Sequence, residues 1–409
     1  MDWLISVLTT TCIGLIVLGV LVIVHEGGHF LVAKLCGVGV LEFSIGFGKK
    51  IWQKRINGTR YAVGIMPLGG YVRMVGDDPY QVYGEEKQDQ DKDKNPDNIL
   101  QPIDDTEDED VKKMLADKSR WFLERGFFSK FAIVLAGPAF NIIFAVLLSI
   151  VALCIYGVHR PVHDPIIGSI FEKMDFPAEK AGLKAGDKVL SINGKAMATW
   201  GDIVTTVRNS DGSEMTFVIE RKVDDALQEL SIVVTPIPES PEMAIMSDND
   251  KGSKTKQEYI IGIGAPLGES ESITFAKAVV LGSRYVFDLS IYTLKSLKLL
   301  VTGEVSAKHL GGPIAIVQAA GSSAEKGGAP LFKFVVFLSV SLAILNLLPI
   351  PILDGGHLMF FIVGAIKGLF TGKSSLDIKT QEFANRLGLA FLMALMLFAI
   401  GNDIFRLFN

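Results

Sequence analysis

"VIVHEGGHFLVAKL", residues 22–35, sets two histidines and a glutamate into a stretch otherwise as apolar as lipid. No charge interrupts the chain from Trp3 to Val24, and the apolar character returns after His29 as far as Lys34. A run of about 20 apolar residues, at ~1.5 Å each, crosses a hydrocarbon layer. Residues 1–35 are therefore expected to form a membrane-spanning helix with the ionisable cluster in its second half. The start, "MDWL", has no basic region and nothing cleavable follows, so the span is expected to be retained. A charge at the bilayer centre costs at least ~2.5 kcal/mol on insertion scales. Three ionisable groups within five positions call for a function.

Residues four apart share a helix face, so His25 and His29 can present two imidazoles to one ion. Glu26 lies about 100° round, near enough to hold a water at that ion. HExxH zinc hydrolases work this way: the histidines bind and the glutamate is general base. Gly27 and Gly28 leave room for a substrate backbone or a close helix contact. The competing reading is a polar cluster that packs helices. Two imidazoles and a water leave a catalytic zinc one protein ligand short. "NLLPIPILDGG", residues 346–356, offers Asp354, the only acid between Leu331 and Ile366. Pro349, Pro351, Gly355 and Gly356 are expected to unwind the chain there and aim Asp354 inward, which is tolerable at membrane depth only where protein or water satisfies the backbone. His357 is the rival ligand, with a supporting contact or a solvent-facing place as its other readings.

The bulk numbers agree. The 409 residues are 49% hydrophobic with net charge −5, mean hydropathy +0.36 and pI near 5.8. Such a chain favours membrane spans and offers no basic face for nucleic acid. Cys12, Cys36 and Cys154 sit in or beside apolar runs, without disulfide or zinc-ribbon spacing, and are expected to be buried thiols.

Outward from the first span, the chain reads as a polytopic α-helical membrane protein with four transmembrane helices. The others fall at 128–157, at 331–366 with the two prolines midway, and at 387–405. Between the first two lies a loop, 36–127. Its "KKIWQKRINGTRYAVGIMPLGGYVRMVG" predicts strands joined by an Asn57-Gly58 hairpin turn. The acidic stretch from Asp77 to Asp110 is expected to be disordered. Residues 160–266 alternate short strand patterns with glycine turns, and residues 239–257 read as an insertion loop. Residues 267–330 are an amphipathic helix and connector at a membrane face. Lysines and arginines crowd the loops 36–127 and 367–386. By the positive-inside rule those loops are cytoplasmic, both termini and the 160–266 module lie outside, and the histidine cluster is towards the cytoplasm.

Together, "HEGGHFLVAKLCGVGVLEFSIGFG", "GPAFNIIFA" and "NLLPIPILDGGHL" resemble the site-2 protease family of intramembrane zinc metalloproteases, in its bacterial regulator of sigma-E protease branch. The likeness covers nearly the whole chain. It implies one catalytic Zn2+ held by His25, His29 and Asp354, with Glu26 activating water. "GIMPLGGYVRMVGD" is similar to the family's membrane-associated β-hairpin, which implies that Gly69, Gly70 and Tyr71 pair with an extended substrate strand. Asn141 and Asn346 match motif asparagines that would hold substrate backbone; an interhelical hydrogen bond is the other reading of each. "PAEKAGLKAGDKVLSINGKAM" resembles PDZ domains, and residues 160–266 leave room for one such extracytoplasmic α+β module where the best-known branch has two. Peptide capture needs a carboxylate-binding loop, whereas a size filter needs only bulk, and the filter is preferred. The implied partners are the lipid bilayer, a single-span substrate such as an anti-sigma factor, and an upstream extracytoplasmic protease. The implied place is a bacterial inner membrane. A transporter would show inverted repeats, and none is found. A scaffold with a structural metal would close the site with four protein ligands, where three are offered.

Overall fold

The structure, a computed structural model, describes residues 2–77, 108–171, 176–223, 226–239, 257–307, 311–371 and 378–408. In chain order the elements are α1 (Asp2–Leu35), β1 (Val40–Ile56), β2 (Thr59–Met74), α2 (Glu109–Ala116), α3 (Phe127–Tyr156), β3 (Val158–Pro161), β4 (Ser169–Ile170), α4 (Pro177–Ala181), β5 (Lys188–Ile192), β6 (Lys195–Ala196), α5 (Trp200–Arg208), β7 (Met215–Val223) and β8 (Ala226–Val234). They continue as β9 (Ile237–Pro238), β10 (Tyr259–Ile260), β11 (Ile263–Gly264), β12 (Leu267–Glu271), α6 (Phe275–Thr302), α7 (Pro313–Glu325), α8 (Gly328–Asn346), α9 (Asp354–Thr371) and α10 (Ile378–Phe408). Contacts divide the chain into two compact units. One comprises Met1–Ala152, Val279–Leu294 and Ala307–Asn409; the other Leu153–Ala278 and Lys295–Ser306.

Among the described residues four helices are long and apolar enough to cross a membrane, Val7–Leu35, Phe127–Tyr156, Gly328–Asn346 and Lys379–Arg406, and all but Leu153–Tyr156 of the second lie in the first unit. The third span departs from expectation. Rather than one interrupted helix over 331–366, α8 ends at Asn346, residues 347–353 turn, and a separate helix begins at Asp354. Gly355 and Gly356 are helical, not unwound. A Cβ on Gly355 would meet the Leu348 and Leu347 carbonyl oxygens at 2.2 and 2.3 Å, and one on Gly356 the Ile350 oxygen at 2.3 Å. The prolines break the chain, and the glycines let the break fold back onto the next helix. Within it Leu353 N–H donates to the Ile350 carbonyl at 3.1 Å, across a turn with Pro351 and Ile352 at its centre. Ile352 has φ +82°, the place that glycine takes in a type II turn.

Between α1 and α3 the strands β1 and β2 fold on each other. The Asn57-Gly58 turn is present, with φ of 50° and 75° and Ile56 paired with Thr59. Phe43 pairs with both Tyr61 and Val72, and Ile45 with both Val63 and Gly70, so the two halves of β2 flank the start of β1. Residues 70–74 thus form an outer strand of this sheet. At its centre Glu42, 3% exposed, accepts from Arg60 at 2.9 Å and from the Tyr71 hydroxyl at 2.8 Å. Residues 78–107, most of the stretch expected to be disordered, lie outside the described residues. Its end is ordered, because Asp108 caps α2 by accepting from the N–H groups of Asp110 and Val111.

Two further features were not expected. The connector holds a helix of its own, α7, packed against α1, where a Cβ on Gly321 would meet Thr10 at 2.2 Å and one on Gly14 would meet Val317 at 2.9 Å. Its N-terminus has no cap of its own; the buried Asp403 of α10 accepts from Gly312, Ile314 and Ala315 N–H at 2.8, 3.0 and 3.1 Å. The amphipathic helix is present as α6, and its Val286 is buried with Ala145, Val336 and Val340 against α3 and α8. Cys12 and Cys154 are exposed, correcting the expectation of buried thiols; an apolar span has an outward face that lipid rather than protein covers.

The second unit centres on the sheet β6-β5-β7-β8, whose Val189, Ile192, Phe217 and Ile219 form a core with Ile203 and Val207 of α5. The Asn193-Gly194 turn joins β5 to β6 as expected. Residues 258–266 do not join this sheet; they form two-residue ladders with β9 and β4. Beside them lies a groove of about 110 Å³ between α5 and residues 259–263. Most of the expected insertion loop, 240–256, lies outside the described residues.

Candidate metal centre

Helix periodicity puts His25 and His29 on one face of α1, and the turn after α8 delivers Asp354 at the first residue of α9. His25 Nε2 lies 3.1 Å from Asp354 Oδ2, His29 Nε2 lies 3.4 Å from Asp354 Oδ1, and the two Nε2 atoms are 3.3 Å apart. His25 and His29 are 7% and 8% exposed. Among the described residues these three form the one group of metal-type ligands within mutual reach.

Helix α3 builds the seat for the rings. Gly137 is where they rest: a Cβ there would fall 2.2 Å from His29 Nε2 and 2.9 Å from His25 Cε1. Gly28 lets α1 approach this closely, since a Cβ on it would meet the Ala136 carbonyl oxygen at 2.5 Å. Pro138, inside the helix, lacks an N–H and loosens this turn of the carbonyl ladder. His29 Nδ1 donates to the Ile133 carbonyl at 2.8 Å, and that bond leaves Nε2 of the neutral ring as a lone pair facing Asp354.

The donor set suits a cation. Three acceptor-bearing atoms converge, and one proton cannot satisfy all three. Asp354 Oδ2 is buried, and the nearest ligand-type atom to it is His25 Nε2, 3.1 Å away and outside good hydrogen-bond geometry. Tetrahedral ligands at zinc bond lengths of 2.0–2.2 Å are ~3.3–3.6 Å apart, close to the separations observed. A His-His-carboxylate triad is also the ligand set of catalytic zinc, which keeps a fourth position open.

The group opens on a cavity of about 730 Å³. Glu26 lines it beside the histidines, as do Gly70 and Tyr71 of the outer strand, Asn346 at the end of α8, and the exposed His357. The outer strand lies against the acid: a Cβ on Gly70 would meet Glu26 Cγ at 3.0 Å. Burial pushes the Tyr71 phenol above its ordinary value, so it stays protonated and donates to Glu42. Gly69 does not line the cavity; its Cβ position falls on the Phe47 ring, 2.2 Å away. Asn141 is fully buried and turns its amide to His25 Nδ1 at 3.2 Å rather than into the cavity. Sequence reading missed the roles of Ile133, Gly137, Pro138 and the α10 residues Gln381 and Asn385 on the cavity wall. The glycine and proline stood in the quoted "GPAFN" and were the available signal.

The model of peptidase family M50 matches residues 13–395. The chain belongs to peptidase family M50 and is a metalloprotease. This M50 chain is similar to a protein named as a zinc metalloprotease in Rhizobium meliloti (strain 1021), 36% identical over 401 residues, covering 97% of this chain and 96% of the relative. It is 33% identical over 403 residues to another so named in Rickettsia conorii, covering 97% and 98%. It is 32% identical over 440 residues to the regulator of sigma-W protease RasP of Bacillus subtilis, covering 96% and 98%.

Proposed function

We propose that this M50 protease cuts single-span membrane proteins within or near their transmembrane segment, in regulated intramembrane proteolysis of anti-sigma factors or remnant signal peptides. One observation carries the reading: two imidazoles and a carboxylate from separate helices converge within 3.1–3.4 Å at the floor of a cavity lined by Glu26. His25, His29 and Asp354 would hold one zinc ion, which when bound supplies Lewis-acid polarisation and acidifies water. The rest is the work of this chain's residues. Glu26 takes a proton from the attacking water and delivers it to the leaving amide nitrogen. A transmembrane helix has its carbonyls already bonded, so the substrate must unwind before attack. The outer strand 70–74 offers the backbone groups that receive the unwound segment by strand addition, with Gly70 holding it beside Glu26. Asn346, on the cavity wall, offers one more hydrogen bond to that backbone.

The basic loops 36–127 and 367–386 would lie in the cytoplasm of a bacterial cell, with both termini outside and the site towards the cytoplasmic face. The second unit, PDZ-like in its sequence motif, would lie outside and exclude substrates with bulky outer domains, as would follow if an upstream protease first trims them. The groove between α5 and residues 259–263 favours a second role for it, holding a peptide strand.

Co-expression of a single-span reporter with wild type, Glu26→Gln and Asp354→Asn tests the reading. Loss of the shorter product in both variants at equal protein levels is expected. Cleavage that survives either substitution overturns it.

A further inference from the structure

Each imidazole of the centre has a second nitrogen turned away from Asp354, and α3 meets both. At His29 the partner is the Ile133 carbonyl, which can only accept, so the ring's proton is fixed on Nδ1. At His25 the partner is different. The Asn141 side-chain amide lies 3.2 Å from Nδ1, and an amide presents a donor or an acceptor according to a half-turn of its last torsion. With its nitrogen towards His25, Asn141 Oδ1 is buried without a partner among the described residues. The His25 proton must then sit on Nε2, the atom 3.1 Å from Asp354 Oδ2. With its oxygen towards His25, the amide accepts Nδ1–H, its buried oxygen is satisfied, and Nε2 is free for a cation. Asn141 is 0% exposed, so no bulk water replaces it. Its position is held from the other side, where Ser339 Oγ of α8 donates to its backbone carbonyl at 2.8 Å.

We propose that Asn141 is a positioning residue, whose side-chain oxygen holds His25 in the Nδ1–H form in the metal-loaded enzyme. This rests on reading His25, His29 and Asp354 as the metal ligands. Such a partner keeps the ring's orientation and sharpens its donor nitrogen, and losing one costs about 10–100-fold in metal affinity. An asparagine suits a site that must also exist without metal, because it follows the ring's proton by rotating. An aspartate only accepts, and a leucine does neither.

The experiment uses the full chain in detergent. Zinc affinity is read by competition with a chromogenic chelator for wild type, Asn141→Leu, Asn141→Asp and His25→Ala, with circular dichroism as the check on folding. Asn141→Leu is expected to lose about 10–100-fold in affinity, Asn141→Asp to keep wild-type affinity or exceed it, and His25→Ala to lose binding. Asn141→Leu binding as tightly as wild type overturns the inference, and so does Asn141→Asp failing as badly as Asn141→Leu, which would mean packing alone. His25→Ala binding like wild type overturns the metal reading itself. Nitrogen-15 spectra of the histidine rings in the zinc-loaded protein give a second readout: a His25 Nδ1 without its proton in wild type overturns the proposal, and a protected Nδ1–H whose resonance moves in Asn141→Asp supports it.

Discussion

A single missing methyl group makes room for the centre. Alanine favours a helix over glycine by up to ~1 kcal/mol, so Gly137→Ala would ordinarily stabilise α3. Here its Cβ would land 2.2 Å from His29 Nε2 and 2.6 Å from Cε1, and the imidazole has nowhere to go while Ile133 holds its other nitrogen. We expect Gly137→Ala to fold, by circular dichroism, and to retain far less zinc after dialysis, by metal analysis; full zinc occupancy would refute this. Gly70→Ala belongs to the same class: its Cβ would press on Val22 and Glu26 at 2.9 and 3.0 Å, so cleavage should fall at least tenfold while zinc content stays. The sequence showed the two histidines, the glutamate and the aspartate directly, because four-residue spacing and an acid in lipid are local signals. It did not show that Gly137 and Asn141 face the imidazoles. Asn141 and His25 stand 116 positions apart, and no local pattern encodes which turn of one helix meets which turn of another.

Among the elements, the turn 347–353 holds Ile352 at positive φ and α7 is capped from α10 by Asp403. A β-branched residue at positive φ costs of order 1–3 kcal/mol, and Ile352 adopts φ +82° two residues before Asp354. Ile352→Pro would lock φ near −65° and reverse the turn that aims Asp354. It should abolish zinc retention, whereas Ile352→Gly should preserve both zinc and Tm. Asp403→Ala removes a carboxylate from three N–H groups at the start of α7. The expected cost is about 1–2 kcal/mol, read as a lower Tm in detergent with zinc affinity unchanged. Neither element is encoded by a local pattern. The prolines announced a break, but nothing in them said that α9 starts afresh at Asp354. The helix α7 escaped because "PIAIVQAAGSSAE" is short and half small residues, and its cap lies 91 positions away.

For the whole molecule, the four spans, apart from the course of the third beyond Asn346, and the strand-rich insert were legible because length and hydropathy suffice for one and alternation with turn residues for the other. The course of β2 past both sides of β1 was not, since two-sided pairing depends on how a strand bends. The unwinding account predicts that a reporter span containing Gly or Pro is cut faster than a poly-leucine span of equal length, by quantitative immunoblot; equal rates would defeat it. The size-filter account predicts that deleting residues 160–266 lets the enzyme cut a reporter whose bulky outer domain protects it from wild type. One mechanical consequence follows from Asp403. It clamps α10 near its C-terminal end, whereas Gln381 and Asn385, near the other end, form cavity wall. Asn385 and Asp403 are 18 residues apart, ~27 Å along a helix. A lever pinned at one end amplifies: a tilt of about 10° at the clamp swings the wall by roughly 4–5 Å over that arm, the width of an extended chain. The carboxylate of Asp403 is the fulcrum of that arm.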